Sequence, residues 1–158
     1  MHGKSSMLYL DNAATTPLLP EVRKVMINYM VDNFGNPSSI YKIGRMNKIA
    51  VEEARKSIAK TIGACPDDIF FTSGGTESDN WVLESAAESA TESDSAHIIV
   101  SSIEHPAVIN KCIQLKKRGC DVDYIKTDKN GIINTDDLIS KIRDDTKLIS
   151  VMLVNNEI

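Results

Sequence analysis

His97-Ile98-Ile99-Val100-Ser101, running on through Ser102-Ile103-Glu104 to His105-Pro106, is the stretch on which the fold is decided. A short run of β-branched apolar residues reads as a buried strand. A polar turn follows, and Pro106 suits the first position of a helix over about residues 106–118. Residues 122–125 read as a second strand, and Asn130-Gly131 marks a turn. Thr135 is expected to cap a short helix through Ile142, and residues 148–154, broken only by Ser150, make the most apolar strand. Strands alternating with helices give an α/β fold, a mainly parallel sheet with flanking helices. The last strand should be covered on both faces, partly by sequence outside these 158 residues.

Upstream, Ile69-Phe70-Phe71-Thr72 reads as a strand, and residues 76–83 as a helix. Residues 84–96, rich in Ser, Glu and Ala, should begin as helix and end as a surface loop. Leu8-Tyr9-Leu10 reads as a short strand or extended entry. A helix from about Pro20 places Val22, Val25, Met26, Tyr29 and Met30 along one face, and Phe34-Gly35-Asn36-Pro37-Ser38-Ser39 breaks it. The next helix, about residues 45–62, spaces Met46, Ala50, Ala54, Ile58 and Ile62 four apart. Glu52 and Lys56 should pair on its wet side, and Gly63 should stop it. The expected organisation is an N-terminal extension (1–7), a helical and loop-rich segment (8–68) and an incomplete α/β domain (69–158).

Composition narrows the function classes. With 158 residues, 42% hydrophobic and 25% charged, the chain can bury a core. A net charge of −4 and scattered basic residues, with no basic stripe, argue against a nucleic-acid partner. The apolar run at 148–154 is too short to span a bilayer, and the polar start lacks a signal-peptide core. The expected location is therefore cytoplasmic, with no membrane partner. Cys65, Cys112 and Cys120 form no Cys-x-x-Cys pair, so packing or incidental thiols are expected rather than a metal site.

Three stretches carry chemistry. In Phe71-Thr72-Ser73-Gly74-Gly75-Thr76-Glu77-Ser78 an extended run enters two glycines and then a helix. Backbone N–H groups at such a helix start can seat a phosphate, with the Thr76 hydroxyl as a further donor. Equally, Thr76 can be a plain N-cap served by Glu77 or Asp79. The pattern is neither the Walker sequence nor the dinucleotide fingerprint. His105, after a strand and at a helix start, can stack on a planar heterocycle or move protons; it can also simply cap its own helix. Asn155-Asn156-Glu157, again after a strand, can orient a polar ring substituent or merely terminate the strand. All three stand at strand C-terminal ends, where open α/β sheets bind ligands.

Taken in order, these stretches, together with Leu10-Asp11-Asn12-Ala13-Ala14-Thr15-Thr16-Pro17, the Gly35-Asn36-Pro37 loop and Val154-Asn155-Asn156-Glu157-Ile158, resemble a known family. The chain from about Leu8 onward is similar to the N-terminal part of the cysteine desulfurases, class V pyridoxal-phosphate enzymes. The branch that supplies sulfur for iron–sulfur cluster assembly and nitrogenase maturation is the most similar. The resemblance implies the large domain of a fold type I transferase with pyridoxal 5′-phosphate as cofactor. It implies that Gly75 and Thr76 hold the cofactor phosphate, and that His105 stacks on the ring and takes part in proton transfer. It gives Asn156 the ring's phenolic oxygen. Ala13, Thr15 and Asn36 would border the substrate site.

The same resemblance implies L-cysteine as substrate, L-alanine as product, a protein-bound persulfide passed to a sulfur-acceptor or scaffold protein, and a homodimer. The family's cofactor-attaching lysine, in a Ser-x-His-Lys motif, lies beyond Asn156. So do an Asp at the pyridine nitrogen, a Gln near the ring oxygen, an Arg for the substrate carboxylate and the sulfur-accepting Cys. None of Cys65, Cys112 or Cys120 matches that Cys, and neither Lys126 nor Lys129 stands in for the lysine. The 158 residues alone are therefore expected to be inactive. Two other readings stand beside this one: a different class V enzyme (a selenocysteine lyase or aminotransferase), or a non-catalytic remnant or split half that needs a partner chain.

Overall fold

A computed structural model describes residues 8–89 and 96–157. The surface loop expected within residues 84–96 therefore lies largely outside the described residues. The chain divides into two compact units, the first ending at Phe71 and the second beginning at Thr72.

The first unit holds two helices, α1 (Pro20–Val31) and α2 (Lys42–Ile62), and a 3-10 turn at Pro66–Asp68. Proline at the first position starts α1, and α2 ends on Gly63, whose φ of 71° is the left-handed value a Cβ disfavours. Two expectations about these helices are corrected. On α2 the row Met46, Ile58, Ile62 is exposed, while Asn47 and Ala59, one position further along the helix, are buried. Asn47 explains the rotation: its amide donates to the carbonyls of Asn33 (2.6 Å) and Gly35, so a polar residue faces inward, tying down the loop after α1. Glu52 pairs with Arg55 (3.3 Å) and Lys56 with Glu53 (3.2 Å), so the ion pairs close at i,i+3. The same loop crowds the start of α2. A Cβ on Gly44 would stand 2.6 Å from the carbonyl oxygens of Asn36 and Ser39, so only glycine fits there.

The second unit is built on three parallel strands in the order β2-β1-β3: β1 (His97–Ser101), β2 (Asp121–Ile125) and β3 (Thr146–Ser150). Parallel neighbours need crossovers, supplied by α4 (Pro106–Lys117) and α5 (Thr135–Lys141), while α3 (Gly75–Glu88) precedes β1. β1 is paired on both edges, from His97↔Asp121 to Ser101↔Ile125 on one side and up to Val100↔Ser150 on the other. All five of its residues are buried, as a strand covered on both faces requires. Ile98 and Val100 meet Leu83 of α3, Val108, Cys112 and Leu115 of α4 and Val122 of β2, which together form the core. His97, fully buried, anchors the start of the sheet: its Nδ1 lies 2.8 Å from the Thr146 hydroxyl, and its Nε2 faces Asp123 at 3.5 Å.

The sheet is shorter than the sequence suggests. Among the described residues, Leu8–Leu10 and Ile69–Thr72 pair with no strand, and ladder pairing of 148–154 stops at Ser150. An apolar run becomes a strand only where another strand meets its backbone groups. Thr135 is not the cap of α5. Asn134 is, its side-chain oxygen accepting from the N–H groups of Asp136 (2.9 Å) and Asp137 (3.1 Å).

Candidate functional site

Gly74 is the N-cap of α3, Gly75 its first residue and Thr76 its second, so Thr76 is not the cap. The first intrahelical bond runs from Ser78 N–H to Gly74 C=O (3.2 Å), and no side chain caps the start. Among the described residues the N–H groups of Gly75, Thr76 and Glu77 meet no acceptor, leaving the orphan donors of a 14-residue helix presented together. A Cβ placed on Gly74 or Gly75 would find nothing within 4 Å, so the space in front of these donors is open. Glu77 turns back instead of blocking it. Its carboxylate accepts from the Ser73 hydroxyl and N–H, both at 2.6 Å, and these bonds hold its pKa below the usual carboxylate range. Thr72 bridges to Ser78 (2.8 Å) and steadies the turn.

α3 packs against β1, β3 and α4 and precedes β1 in the chain. His105 and Asn156 stand at the edge where the parallel strands end, following β1 and β3. His105 is the N-cap of α4 and exposed, its Nδ1 accepting from Ala107 N–H at 3.1 Å. The capping alternative is thus realised, and it leaves the ring plane and Nε2 open. With Nδ1 as acceptor, the neutral ring carries its proton on Nε2. Asn156 is exposed, and among the described residues its side chain makes no hydrogen bond.

Two further residues make contacts that the sequence reading did not assign. Glu104 Oε1 accepts from the Ser101 hydroxyl (2.7 Å) and from Met152 N–H (2.6 Å). The Asn155 amide donates to the Ile103 carbonyl (2.9 Å), while its oxygen accepts from Glu157 N–H (2.7 Å). The one available signal was position: Glu104 and Asn155 each directly precede a candidate site residue. Ala13 and Thr15 lie in the exposed turn after Asp11, whose side chain accepts from Ala14 N–H at 3.2 Å. Asn36 accepts from Ser38 N–H at 2.8 Å; all three belong to the first unit. An apolar groove of about 760 Å³ in that unit, with Val25, Tyr29, Phe34, Val51 and Phe71 on its walls, carries no charged side chain to hold an anion. Among the described residues no cluster of His, Cys, Asp and Glu could hold a metal ion, and no helix is long and apolar enough to cross a membrane.

Uncapped amides at a helix start, an exposed imidazole and an exposed carboxamide are the kinds of group that can meet a phosphorylated, planar, polar-substituted ring. Comparison with known proteins points the same way. The Aminotransferase class-V family profile matches residues 8–158. A cysteine desulfurase, IscS, from Methanosarcina thermophila is 50% identical over 155 residues, covering 98% of this chain and 38% of the relative. A solved "NifS-like protein" superposes with a TM-score of 0.90 at 38% identity, covering 95% of this chain and 41% of its own. A structure described as SspA in complex with cysteine gives 0.87 at 37% identity, with 96% and 44% covered. The chain therefore spans roughly two-fifths of the length of the relatives it matches. Since the profile match takes in both units, the chain belongs to the class V aminotransferases, a family of pyridoxal-phosphate enzymes.

Proposed function

We propose that this chain is part of a pyridoxal-phosphate-dependent cysteine desulfurase, which converts L-cysteine to L-alanine and hands the sulfur on as a protein-bound persulfide. The observation that carries the reading is the open, uncapped start of α3, and the reading brings it together with His105 and Asn156, which follow β1 and β3. Pyridoxal 5′-phosphate, when bound, supplies an electron sink for bonds at the substrate's α-carbon. This chain's residues bind and orient. The N–H groups of Gly75, Thr76 and Glu77 and the Thr76 hydroxyl hold a phosphate, favoured further by the helix dipole. His105 offers its ring face for stacking and its Nε2 for moving a proton, while the bond from Ala107 fixes the ring's orientation. Asn156 donates to the phenolic oxygen. The attaching lysine, the remaining ring contacts and the sulfur-accepting cysteine are assigned to parts of the whole protein outside these 158 residues.

L-cysteine is the proposed substrate, with a sulfur-acceptor or scaffold protein of iron–sulfur assembly as partner, a homodimer as the working form and the cytoplasm as location. Quantifying alanine and persulfide formed by the whole protein from L-cysteine tests the reading. Alanine and sulfur in equal amounts are expected. Alanine released from L-selenocysteine but not from L-cysteine would favour a selenocysteine lyase, and neither reaction would overturn the assignment.

A further inference from the structure

His105 and Asn156 stand on different loops, and the β1–β3 ladder that could align them ends at Val100↔Ser150. Past that pair, loop residues in a parallel sheet have no backbone bonding to fix their spacing. Here two side chains take over. From the β1 side, Glu104 accepts Met152 N–H at 2.6 Å. From the β3 side, Asn155 donates to Ile103 C=O at 2.9 Å. In both bonds the donor lies on the loop after β3 and the acceptor on the loop after β1, but the side chain comes from a different loop each time, Glu104 from one and Asn155 from the other.

The Glu104 oxygen that reaches Met152 also accepts from Ser101 at 2.7 Å, and Ser101 is fully buried. A buried hydroxyl needs its partner, and a carboxylate acceptor makes such bonds stronger than a neutral one does. The clasp is thus rooted in the rigid end of the core strand. Each of its members sits one residue before a candidate cofactor contact: Glu104 before His105, Asn155 before Asn156.

We propose that Glu104 and Asn155 are positioning residues, a two-way clasp between the loops after β1 and β3 that holds His105 and Asn156 in one frame. The proposal rests on the cofactor reading above. It predicts that Glu104→Ala in the whole protein weakens affinity for pyridoxal 5′-phosphate by about tenfold or more, since a misplacement of about 1 Å is costly in an oriented site. The visible circular dichroism of the bound cofactor, which reports its orientation, should shrink in parallel. Glu104→Gln keeps an oxygen acceptor and should restore both readouts to within about threefold of wild type. Asn155→Ala should resemble Glu104→Ala, and the double variant should add little to either, because the two bonds act as a unit. If Glu104→Ala does not fold, Asn155→Ala carries the same test. Alanine variants with wild-type affinity and dichroism would overturn the clasp, as would a glutamine variant no better than alanine.

Failure of the cofactor reading shows separately, as no saturable binding of pyridoxal 5′-phosphate by the wild type. The clasp is then read by NMR without cofactor. In Glu104→Ala the His105 ring and Asn156 carboxamide signals should move together and return in Glu104→Gln. Shifts confined to Ser101 and Met152 would overturn it.

Discussion

His105 serves α4 through one ring nitrogen and keeps the rest of the ring free, and substitution separates the two roles. Asparagine caps helices well, so His105→Asn should leave thermal stability within about 0.5 kcal/mol while lowering affinity for pyridoxal 5′-phosphate. His105→Ala should lose the ring and about 1 kcal/mol together. Melting curves and cofactor titrations on the same preparations check both, and a stability loss in the Asn variant equal to that in Ala would count against the cap. Cys112 makes a second residue-level prediction. Burial, with smaller contributions from Cys120 and Glu104, pushes its thiol up to about 11, and only the thiolate attacks alkylating agents. At pH 8 iodoacetamide should label exposed Cys65 and spare Cys112 in the folded protein. Equal labelling of the two before unfolding would contradict this.

At the scale of elements, β1 and α4 were legible because a β-branched run and a proline start each leave one local solution. At the α3 start two glycines and a threonine suit either a cap or a cradle in sequence; in three dimensions Thr76 is not the cap and the amides are uncapped, as the proposed cradle requires. Ile69–Thr72 shows what local pattern cannot supply, because its strand state depends on a partner. The inward turn of Asn47 and the clasp of Glu104 and Asn155 were also hidden, since both hydrogen-bond to backbone groups distant in sequence. Ile98 is wholly buried between α3, α4 and the sheet, so Ile98→Ala should cost about 2–5 kcal/mol, read as a lower urea midpoint at an unchanged slope. The hydrogen bond from Arg143 (2.7 Å) lowers the Asp121 pKa and joins β2 to the turn before β3. A depressed folded pKa means stability present above the unfolded value of 3.8 and lost as pH falls through the folded one. Because both side chains are nearly half exposed, the gain is at most about 1 kcal/mol. The stability gap between wild type and Asp121→Asn should hold at neutral pH and close below pH 3.8; a gap unchanged there would contradict the linkage.

At the scale of the whole molecule, exposed large apolar side chains outnumber the buried ones among the described residues. Met30, Phe34 and Leu153 are 73%, 74% and 97% accessible, and α1 has no buried residue. Surfaces of this kind ask for cover. The 158-residue polypeptide prepared by itself should therefore self-associate with rising concentration, and light scattering that shows a monomer up to about 100 µM would contradict that expectation. The central claim is that the start of α3 seats the phosphate of the cofactor. It is tested most directly by titrating the whole protein with pyridoxal 5′-phosphate and with pyridoxal, in wild type and in Thr76→Ala. If the cradle holds the phosphate, the phosphorylated form binds at least about tenfold more tightly, and Thr76→Ala narrows that preference without weakening pyridoxal, since one charge-assisted bond is worth about 1.5–3 kcal/mol. Equal affinity for the two compounds, or a preference that Thr76→Ala leaves untouched, would contradict it.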